Sequence, residues 1–585
     1  MEPERLAASI SRRQFVRKTA LAGAALATAV PNAWAAIEQP FQHGVASGDP
    51  RSDRVIIWTR VTPGADRHGQ IAAADAAAHG NPGALLRAAE LRLIPVLWQV
   101  ALDEEFRHVV RRGPAFARAE GDYTVKVDVT GLQPGTRYYY RFMSQGEFSR
   151  VGRTKTLPIG AAAQVKLAVF SCSNYPAGFF NSYAAAARIA DLDAFVHLGD
   201  YIYEYARNGY ASGNAAQLGR SSEPDAELIA LDQYRRRHAQ YKSDPDSQAL
   251  HAAVPLIAVW DDHESANDAW RDGAENHSPA AEGSWAARKA AALRAYYEWL
   301  PIRPVDATRP EVIYRSFDFG TLVSLHMLDT RLAGRERQLD YRNYFATGTF
   351  DGARFAAEVA DPARQLLGAP QTTWLQDRLA QSNATWQVLG QQVLMGRMNV
   401  PAPLVFQQVT VSQYAALVGK LQAGAPLTPQ EQAILAAPSI PYNLDAWDGY
   451  AAAREAVLGT ARQLGKNLVV LAGDTHNAWA NDLLDLAGNP VGVEFAGTSV
   501  SSPGFEAIFP DEDPAVFARS LEALIGPLAW CDVSRRGFLL VTATPNECRA
   551  DWRFVSTVLS RNYTISTGRA LRTLPGAGNR RIVEV

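Results

Sequence analysis

The stretch KLAVFSCSNY, at residues 166–175, determines how the rest of the chain is interpreted. Its first half is apolar and rich in β-forming residues, which predicts a buried strand. The strand stops at a polar turn that contains Cys172, one of only three cysteines in 585 residues. Three roles are open to this cysteine: a buried structural thiol, half of a disulfide, or a metal ligand.

The pattern of an apolar strand followed directly by polar residues recurs five more times along the chain. In layered α/β proteins, ligands bind at the carboxyl ends of strands, so loops of this kind can converge on one site. A single Asp after a strand is an ordinary turn residue, but six such strand ends indicate a functional site. Asp329 and Arg331 are expected to form a structural ion pair near it. The residues at the six strand ends are Cys172; Asp200 and Tyr203; Asp261, Asp262 and His263; Asp329 and Arg331; Gln391 and Gln392; and Asp474 and His476.

The order of the predicted elements indicates the fold class. From about residue 165 onward, strands alternate with helices such as LDQYRRRHAQYKS at 231–243, which predicts an α/β fold with a layered core of β-sheets flanked by helices. The preceding residues look all-β, and the pattern L-x-P-x-T-x-Y-x-Y that ends at Tyr140 is typical of fibronectin or immunoglobulin-like sandwiches, with Tyr138 as a tyrosine corner. We therefore expect an N-terminal β-sandwich domain at 36–157, a catalytic domain at 158–559 and a C-terminal tail at 560–585.

The first 35 residues have the features of an export signal. Arg12 and Arg13 precede a short, Ala-rich apolar run, and Ala-Trp-Ala at 33–35 is typical of a cleavage site. This pattern predicts a twin-arginine signal, recognition by the twin-arginine translocase, and a periplasmic or secreted protein. The apolar run is too short for a membrane anchor, and we expect no transmembrane segment elsewhere.

Composition excludes two further classes of protein. The net charge is −2 and the basic residues form no stripe, so we expect no nucleic-acid-binding role. Three cysteines are too few for a full disulfide framework. Whether Cys531 and Cys548 pair with each other is left open by the sequence.

The residue types at the strand ends favour a metal site. Carboxylates are hard oxygen ligands, and a thiolate and a phenolate favour a strongly Lewis-acidic ion such as ferric iron. A structural zinc site is not indicated because no paired CxxC occurs. A serine hydrolase is not indicated because no G-x-S-x-G occurs. The candidate ligands by residue type are Cys172, Asp200, Tyr203, Asp262, Asp474 and His476.

Three motifs follow the order of the metal-binding loops of metallophosphoesterases: GDYIY at 199–203, WDDHE at 260–264 and GDTH at 473–476. Together with Cys172, LDQYRRRHAQY, LDTR, LLGAPQTTWL and DAWDGY, they make the chain resemble the PhoD family of alkaline phosphatases, from the export signal to about residue 559. The resemblance implies a metallophosphoesterase-like core and an exported enzyme. Its substrates would be small phosphomonoesters and also phosphodiesters, hydrolysed through a metal-bound hydroxide.

The resemblance also implies a cofactor set of one ferric iron (Fe3+) with calcium (Ca2+). Ferric iron acidifies bound water, and calcium orients a phosphate ester with little demand on geometry. The implied iron ligands are Cys172, Asp200, Tyr203 and His476. The implied calcium ligands are Asp200 as a bridge, Asp262, Asp474 and Gln391, the last in the place of a superfamily histidine.

Further residues are candidates for catalysis and substrate binding. His263, beside the ligand Asp262, would protonate the leaving group or bind a phosphate oxygen. The family's phosphate-binding arginine would correspond to Arg220, for which a solvated loop position is an equal alternative. Asn267 is either a further oxygen ligand or substrate contact, or a surface-loop residue.

Two other functions remain as alternatives. The first is a phospholipase D or broad phosphodiesterase on the same scaffold, with phospholipids as substrates. The second is a non-catalytic protein that binds cell-surface material through its β-sandwich. The complete set of strand-end residues argues against the second alternative, because a binding protein has no need of them.

Overall fold

The structure is a computed structural model that describes residues 40–64, 67–78, 81–345 and 349–585. The export signal expected at 1–35 lies outside these residues. Among the residues described, no helix is both long and apolar enough to cross a bilayer.

The described residues form twenty-four strands, numbered here in chain order. They are β1 Val45–Gly48, β2 Arg54–Arg60, β3 Leu93–Ala101, β4 Val109–Arg118, β5 Thr124–Thr130, β6 Arg137–Ser144, β7 Glu147–Phe148, β8 Gly152–Lys155, β9 Val165–Phe170, β10 Ala194–His197, β11 Leu256–Ala258, β12 Arg315–Phe319, β13 Val323–Met327, β14 Trp386–Gly390, β15 Asn399–Pro401, β16 Ser439–Pro441, β17 Leu468–Ala472, β18 Ala478–Leu484, β19 Pro490–Ala496, β20 Leu528–Asp532, β21 Gly537–Ala543, β22 Cys548–Val555, β23 Ile565–Thr573 and β24 Val583–Glu584.

The α-helices of the described residues are numbered in the same way. They are α1 Arg67–Ala77, α2 Pro82–Leu91, α3 Asn181–Ala187, α4 Ala215–Leu218, α5 Leu231–Ser243, α6 Pro245–Ala253, α7 Pro279–Glu282, α8 Trp285–Trp299, α9 Gly352–Val359, α10 Gly368–Gln381, α11 Ala402–Val405, α12 Val411–Gln422, α13 Pro429–Ala436, α14 Ala451–Gln463, α15 Phe505–Ile508 and α16 Pro514–Leu524.

Two large sheets form the core. The first has ten strands in the order β24-β23-β22-β21-β9-β10-β11-β1-β2-β5, and the second has seven in the order β12-β13-β14-β17-β19-β18-β20. In the first sheet β9, β10 and β11 are parallel to one another. In the second, β13, β14, β17 and β19 are parallel. Each sheet therefore presents several carboxyl ends of parallel strands at one edge.

The two sheets pack face to face, with helices outside them. Val196 of β10 lies in the same buried cluster as Leu325 of β13 and Val469 of β17. On the other face of the ten-stranded sheet, the ring of Phe195 lies 5.0 Å from that of His251 in α6. Helices α10 and α14 cover the seven-stranded sheet through a second buried cluster. The expected layered α/β core is confirmed.

The N-terminal region contains the expected sandwich but shares one of its sheets with the core. Strands β3, β4, β6, β7 and β8 form a separate sheet. It packs in one buried cluster with apolar residues of β1, β2 and β5, which belong to the ten-stranded sheet. The hydroxyl of Tyr138 accepts a 2.8 Å hydrogen bond from the Gln133 backbone, as in a tyrosine corner. The expectation of an all-β region was wrong in one respect, because α1 and α2 lie within it.

The C-terminal segment is part of the core sheet. Residues 560–585 were expected to form a tail, but β23 pairs with β22 along its length and β24 pairs with β23.

Cys531 and Cys548 do not form a disulfide with each other. Cys531 lies in β20 of the seven-stranded sheet and Cys548 in β22 of the ten-stranded sheet, and both thiols are buried and free.

Candidate metal centre

The polar strand ends of both sheets meet at one place. The loops after β9, β10 and β11 come from the ten-stranded sheet, and the loop after β17 comes from the seven-stranded sheet. Cys172, Asp200 and His476 offer ligand atoms that all lie within 4.8 Å of one another. Asp200, Asp262 and His263 form a second group with the same property. Asp200 belongs to both groups and so joins two adjacent ligand sets.

The backbone at four of these residues is left-handed. Cys172, Asp200, Asp474 and His476 have φ values of 60°, 55°, 65° and 62°. For residues other than glycine this conformation costs about 1–2 kcal/mol each, and it persists only where the surrounding structure fixes it. Each loop therefore leaves its strand in a tight turn that directs the functional side chain across the sheet edge.

Tyr203 connects the members of the first group. Its hydroxyl donates to Asp200 Oδ2 at 2.9 Å and lies 3.2 Å from His476 Nε2. The Ser502 hydroxyl is 2.7 Å away. The phenol oxygen, the carboxylate and the imidazole nitrogen therefore surround a common point, as donors to one cation would.

The tautomer of His476 suits a metal ligand. Its Nδ1 lies 2.9 Å from the Pro503 carbonyl and 3.1 Å from the Tyr210 hydroxyl. A carbonyl can only accept, so Nδ1 carries the proton and the lone pair of Nε2 points toward Tyr203 and Asp200. This outer hydrogen bond is of the kind that orients a ligating histidine.

His263 is held by a buried carboxylate that the sequence analysis did not single out. Its Nδ1 lies 2.7 Å from Oε2 of Glu204, which is fully buried. The other oxygen of Glu204 accepts from the Asn267 backbone at 2.7 Å. Burial lowers the pKa of His263, but the charges of Asp262, Glu204 and Asp200 together raise it well above its ordinary value. These neighbouring carboxylates therefore favour the protonated form of the imidazole when no cation neutralises them.

Arg331 organises the carboxylates on the other side of the site. This fully buried guanidinium donates to Asp261 at 2.5 Å, Asp445 at 2.8 Å and Asp474 at 3.0 Å. The expected ion pair with Asp329 is wrong. The Asp329 carboxylate instead accepts backbone N–H groups, including that of Arg331 at 2.8 Å, and so stabilises the turn after β13.

The residues present fit a cation. Oδ1 of Asp200 is buried and has no hydrogen-bond partner. Burial, and next the charge of Asp200, raise the pKa of the Cys172 thiol and of the Tyr203 phenol well above their ordinary values. Burial and the charge of Asp445 do the same for the pKa of Asp474. A bound cation would lower the pKa of each of these groups, because it stabilises the deprotonated form of a ligand.

Comparison with known proteins identifies the family of the chain. The model of the PhoD-like phosphatase family matches residues 167–552, and that of the PhoD-like phosphatase N-terminal domain matches 25–158. The chain belongs to the PhoD-like phosphatase family. It is 34% identical to alkaline phosphatase D of Bacillus subtilis (strain 168) over 579 residues, or 96% of this chain and 87% of that protein. A solved PhoD structure superimposes with a TM-score of 0.73 at 33% identity, covering 95% of this chain and 94% of that one.

In this PhoD-like phosphatase, Arg220 is held by a buried carboxylate and a backbone carbonyl. Its guanidinium is 3% exposed, donates to Asp244 at 2.6 Å and to the Tyr175 carbonyl at 2.8 Å, and lies 3.7 Å from the centre of the Tyr175 ring. A buried ion pair of this kind holds loops together. The contacts of Arg220 therefore give no support to its expected role in binding phosphate.

Gln391 and Asn267 lie near the cluster with their amides engaged. The Gln391 oxygen accepts from the Trp447 indole at 3.1 Å, and its nitrogen donates to the Val393 carbonyl. Asn267 accepts from Tyr205 at 3.0 Å and donates to Glu275 at 2.6 Å. Both residues therefore have a structural role in these loops. A metal-binding or substrate-binding role stays a prediction for each.

Three contributors to the site were missed or misplaced from the sequence. Glu204 directly follows the GDYIY motif and could have been noticed as an acid next to a ligand loop. Ser502 lies in GTSVSSPG at 497–504, and its hydroxyl also donates to the Cys172 carbonyl at 3.1 Å. Arg331 was noticed but given the wrong partner. No local sequence signal identifies Asp445 as its partner, because 114 positions separate the two residues.

Proposed function

We propose that this PhoD-like phosphatase is an exported, metal-dependent alkaline phosphatase that hydrolyses phosphomonoesters and phosphodiesters. The proposal rests on one observation: Asp200 belongs to two groups of possible ligands. One group also contains Cys172 and His476, and the other contains Asp262 and His263. A phosphoryl group that bridges two adjacent cations has its charge neutralised and its reacting oxygens aligned.

The donor chemistry differs between the two halves of the site. The half with a thiol, a phenol and an imidazole fits ferric iron, and the carboxylates of the other half, with His263 reserved as the acid, fit calcium. When bound, the two ions would neutralise the phosphate charge and acidify a water molecule. The residues that would hold Fe3+ are Cys172, Asp200, Tyr203 and His476, and those that would hold Ca2+ are Asp200, Asp262 and Asp474.

The protein's own residues supply the proton for the leaving group. Glu204 fixes Nδ1 of His263, so the opposite ring nitrogen faces the shared carboxylate of Asp200. The protonated imidazole would donate to the departing ester oxygen from Nε2. The ring is held in place by Tyr203, whose centroid lies 4.3 Å away. The imidazole can therefore transfer a proton without a large movement.

Metal analysis and a visible spectrum of protein made with its export pathway intact test the cofactor assignment. We expect iron and calcium, with a phenolate-to-iron charge-transfer band that is lost in Tyr203→Phe and kept in the control Tyr210→Phe. The control hydroxyl contacts His476 at Nδ1, on the side away from the cluster. Zinc alone with no band would overturn the iron assignment. In Cys172→Ser, loss of iron with the fold retained would agree with a thiolate ligand.

Steady-state kinetics on a monoester, a bis-ester and phosphatidylcholine test the reaction class. We expect release of phosphate from the monoester and cleavage of the bis-ester. Release of choline that far exceeds phosphate release from monoesters would instead identify a phospholipase D.

Export is part of the same proposal and rests on the twin arginines of the signal sequence. We expect Arg12→Lys combined with Arg13→Lys to leave the protein in the cytoplasm in full-length form. Unchanged export of this variant would contradict the twin-arginine route. Fractionation with activity measured in each fraction decides between the two results.

A further inference from the structure

A cavity of about 290 Å3 adjoins the carboxylate half of the metal centre. One of its walls is Asp268, whose backbone N–H donates to Asp262 Oδ2 at 2.6 Å. Another is Asp445, which is joined to Asp474 through Arg331. One wall thus contacts an expected calcium ligand directly, and another is linked to one through a single residue. A group attached to a phosphate at the metal centre would extend into this space.

The lining contains two arginines, of which Arg342 pairs with Asp340. Within the described part of the chain, no ion pair engages Arg337, whose guanidinium carbon lies 5.3 Å from the centre of the Trp270 ring. This positive charge is available to a bound anion and lies over an aromatic face, while Asp268 and Glu275 keep their negative charge because their partners are neutral amides. The carboxylates all have partners: Asp268 accepts from Gln338 at 2.8 Å, Glu275 from Asn267 at 2.6 Å, Asp340 from Arg342 at 2.8 Å and Asp445 from Arg331 at 2.8 Å.

The aromatic side chains of the cavity are held in fixed positions. Trp270 lies at the start of a tight turn, in which its backbone exchanges hydrogen bonds with Gly273 at 2.8 and 3.3 Å. A side chain at Gly273 would overlap the Trp270 ring, so the glycine leaves room for it. The Tyr341 hydroxyl donates to the Pro441 carbonyl at 2.6 Å, and the Tyr442 ring packs 6.4 Å from that of Trp479. Little side-chain entropy would be lost when a ring binds among them.

We propose that this cavity is the leaving-group subsite and that it selects phosphate esters whose alcohol portion carries a planar ring. Trp270, with Arg337 over it, supplies the stacking surface, and Arg337 favours leaving groups with an additional negative charge. This inference rests on the proposed phosphatase function and names the substrate class that the same site prefers. Trp270 and Arg337 are specificity residues here and take no part in the chemical step.

Kinetics of Trp270→Leu on two monoesters test the proposal. With phenyl phosphate we expect kcat/KM to fall about threefold to tenfold, the range set by the loss of one aromatic contact. With glycerol phosphate we expect a change of less than about twofold, because its leaving group has no ring to stack. Taking the ratio of variant to wild type within each substrate cancels the different reactivities of the two leaving groups. Equal losses on both substrates, or no loss on either, would overturn the proposal.

A second variant avoids any effect of the buried part of Trp270 on folding. Arg337 is exposed, and we expect Arg337→Gln to lower kcat/KM more for carboxyphenyl phosphate than for phenyl phosphate. The matched control is Arg354→Gln, which removes an arginine of α9 that lies 5.2 Å from the Tyr344 ring and outside the cavity lining. Equal effects of Arg337→Gln and Arg354→Gln would overturn the role of Arg337.

Inhibition by phosphonates separates this inference from the proposed function. Phenylphosphonate cannot be turned over, and we expect its inhibition constant relative to that of methylphosphonate to rise in Trp270→Leu. A wild-type enzyme that hydrolyses neither monoester would contradict the phosphatase function itself. A wild-type enzyme that hydrolyses both, with the phosphonate ratio unchanged in the variant, would contradict only the leaving-group subsite.

Discussion

Glu204 determines which nitrogen of His263 faces the metal ligands. Its carboxylate is fully buried and also accepts from the Asn267 backbone at 2.7 Å and from the Asn276 amide at 2.9 Å. With three donors around it, Glu204 has no freedom to rotate away from the imidazole. It acts on the reaction through His263 and is therefore a positioning residue.

The first prediction at the residue scale is that Glu204→Gln lowers kcat about 10- to 100-fold, because the amide cannot accept from all three donors. If His263 protonates the leaving group, the loss is larger for glycerol phosphate than for nitrophenyl phosphate, whose leaving group needs no proton. The matched control is Glu227→Gln, which shares the partner Asn276 but does not contact His263. An equal loss with both leaving groups would show that Glu204 is only structural.

A second prediction concerns Lys242, which is 1% exposed and lies 2.9 Å from His251 Nε2. Burial lowers the pKa of its amine well below the ordinary 10.5. The unfolded chain then binds one more proton than the folded chain, so stability rises with pH up to about 10.5. We expect this rise to be absent in Lys242→Met and kept in the control Lys289→Met, a half-buried position. The unfolding midpoint measured at several pH values between 7 and 10 shows this rise. Equal pH dependence of the midpoint in Lys242→Met and the wild type would contradict the lowered pKa of Lys242.

At the scale of the elements, the loops after β10 and β11 approach each other too closely for any side chain at Gly199. This residue has a φ of +119°, and a Cβ there would overlap Asp261. The contact brings the GDYIY and WDDHE loops together, which is what allows Asp200 and Asp262 to belong to one ligand group. The strands determine where each loop begins, and Gly199 allows the two loops to approach each other closely.

Gly199→Ala is accordingly expected to destabilise the protein by at least about 2 kcal/mol and to lower its metal content. The overlap is with backbone and Cβ atoms, which cannot move without separating the two loops. The control is Gly459→Ala in α14, where no atom would approach the new Cβ within 4 Å and where helix propensity predicts a gain of about 1 kcal/mol. Thermal unfolding and metal analysis measure both variants; unchanged metal content in Gly199→Ala would disprove the spacing role.

At the scale of the whole molecule, both ends of the described chain belong to the ten-stranded sheet. Strands β1, β2 and β5 extend it on one side, and β21 to β24 extend it on the other. The strands of this sheet that carry ligand loops, β9 to β11, are therefore central and paired on both sides. This arrangement explains how loops under backbone strain are held in place, because the sheet beneath them has no free edge nearby.

Truncation tests this architecture. A chain that ends at Leu559 lacks β23 and β24, so the edge of β22 is exposed next to the buried Trp552. We expect a lower Tm and aggregation, since an unpaired long edge strand pairs with other chains. A chain that ends at Asn579 loses only β24, which pairs at two positions, and should behave almost like the full chain. Equal stability of the two truncated proteins would contradict the structural role of β23.

The positions of the strand ends and the residue types at them are predictable from short stretches of sequence. An apolar run followed by a polar turn is a local pattern, and so Cys172, Asp200 and His476 could be assigned to loops after β9, β10 and β17 without a structure. Their residue types indicated a metal for the same local reason. The helix at 231–243 was also predicted correctly, because its amphipathic period lies within the segment itself.

Which polar residues contact one another depends on how the whole chain packs. Arg331 pairs with Asp474 across 143 positions of sequence, and Arg220 pairs with Asp244. Strands β23 and β24 likewise became part of the sheet through pairing that no local pattern reveals. The physical reason is that contacts between distant segments depend on sheet order and on the burial of whole faces. These are properties of the packed chain and not of any one stretch within it.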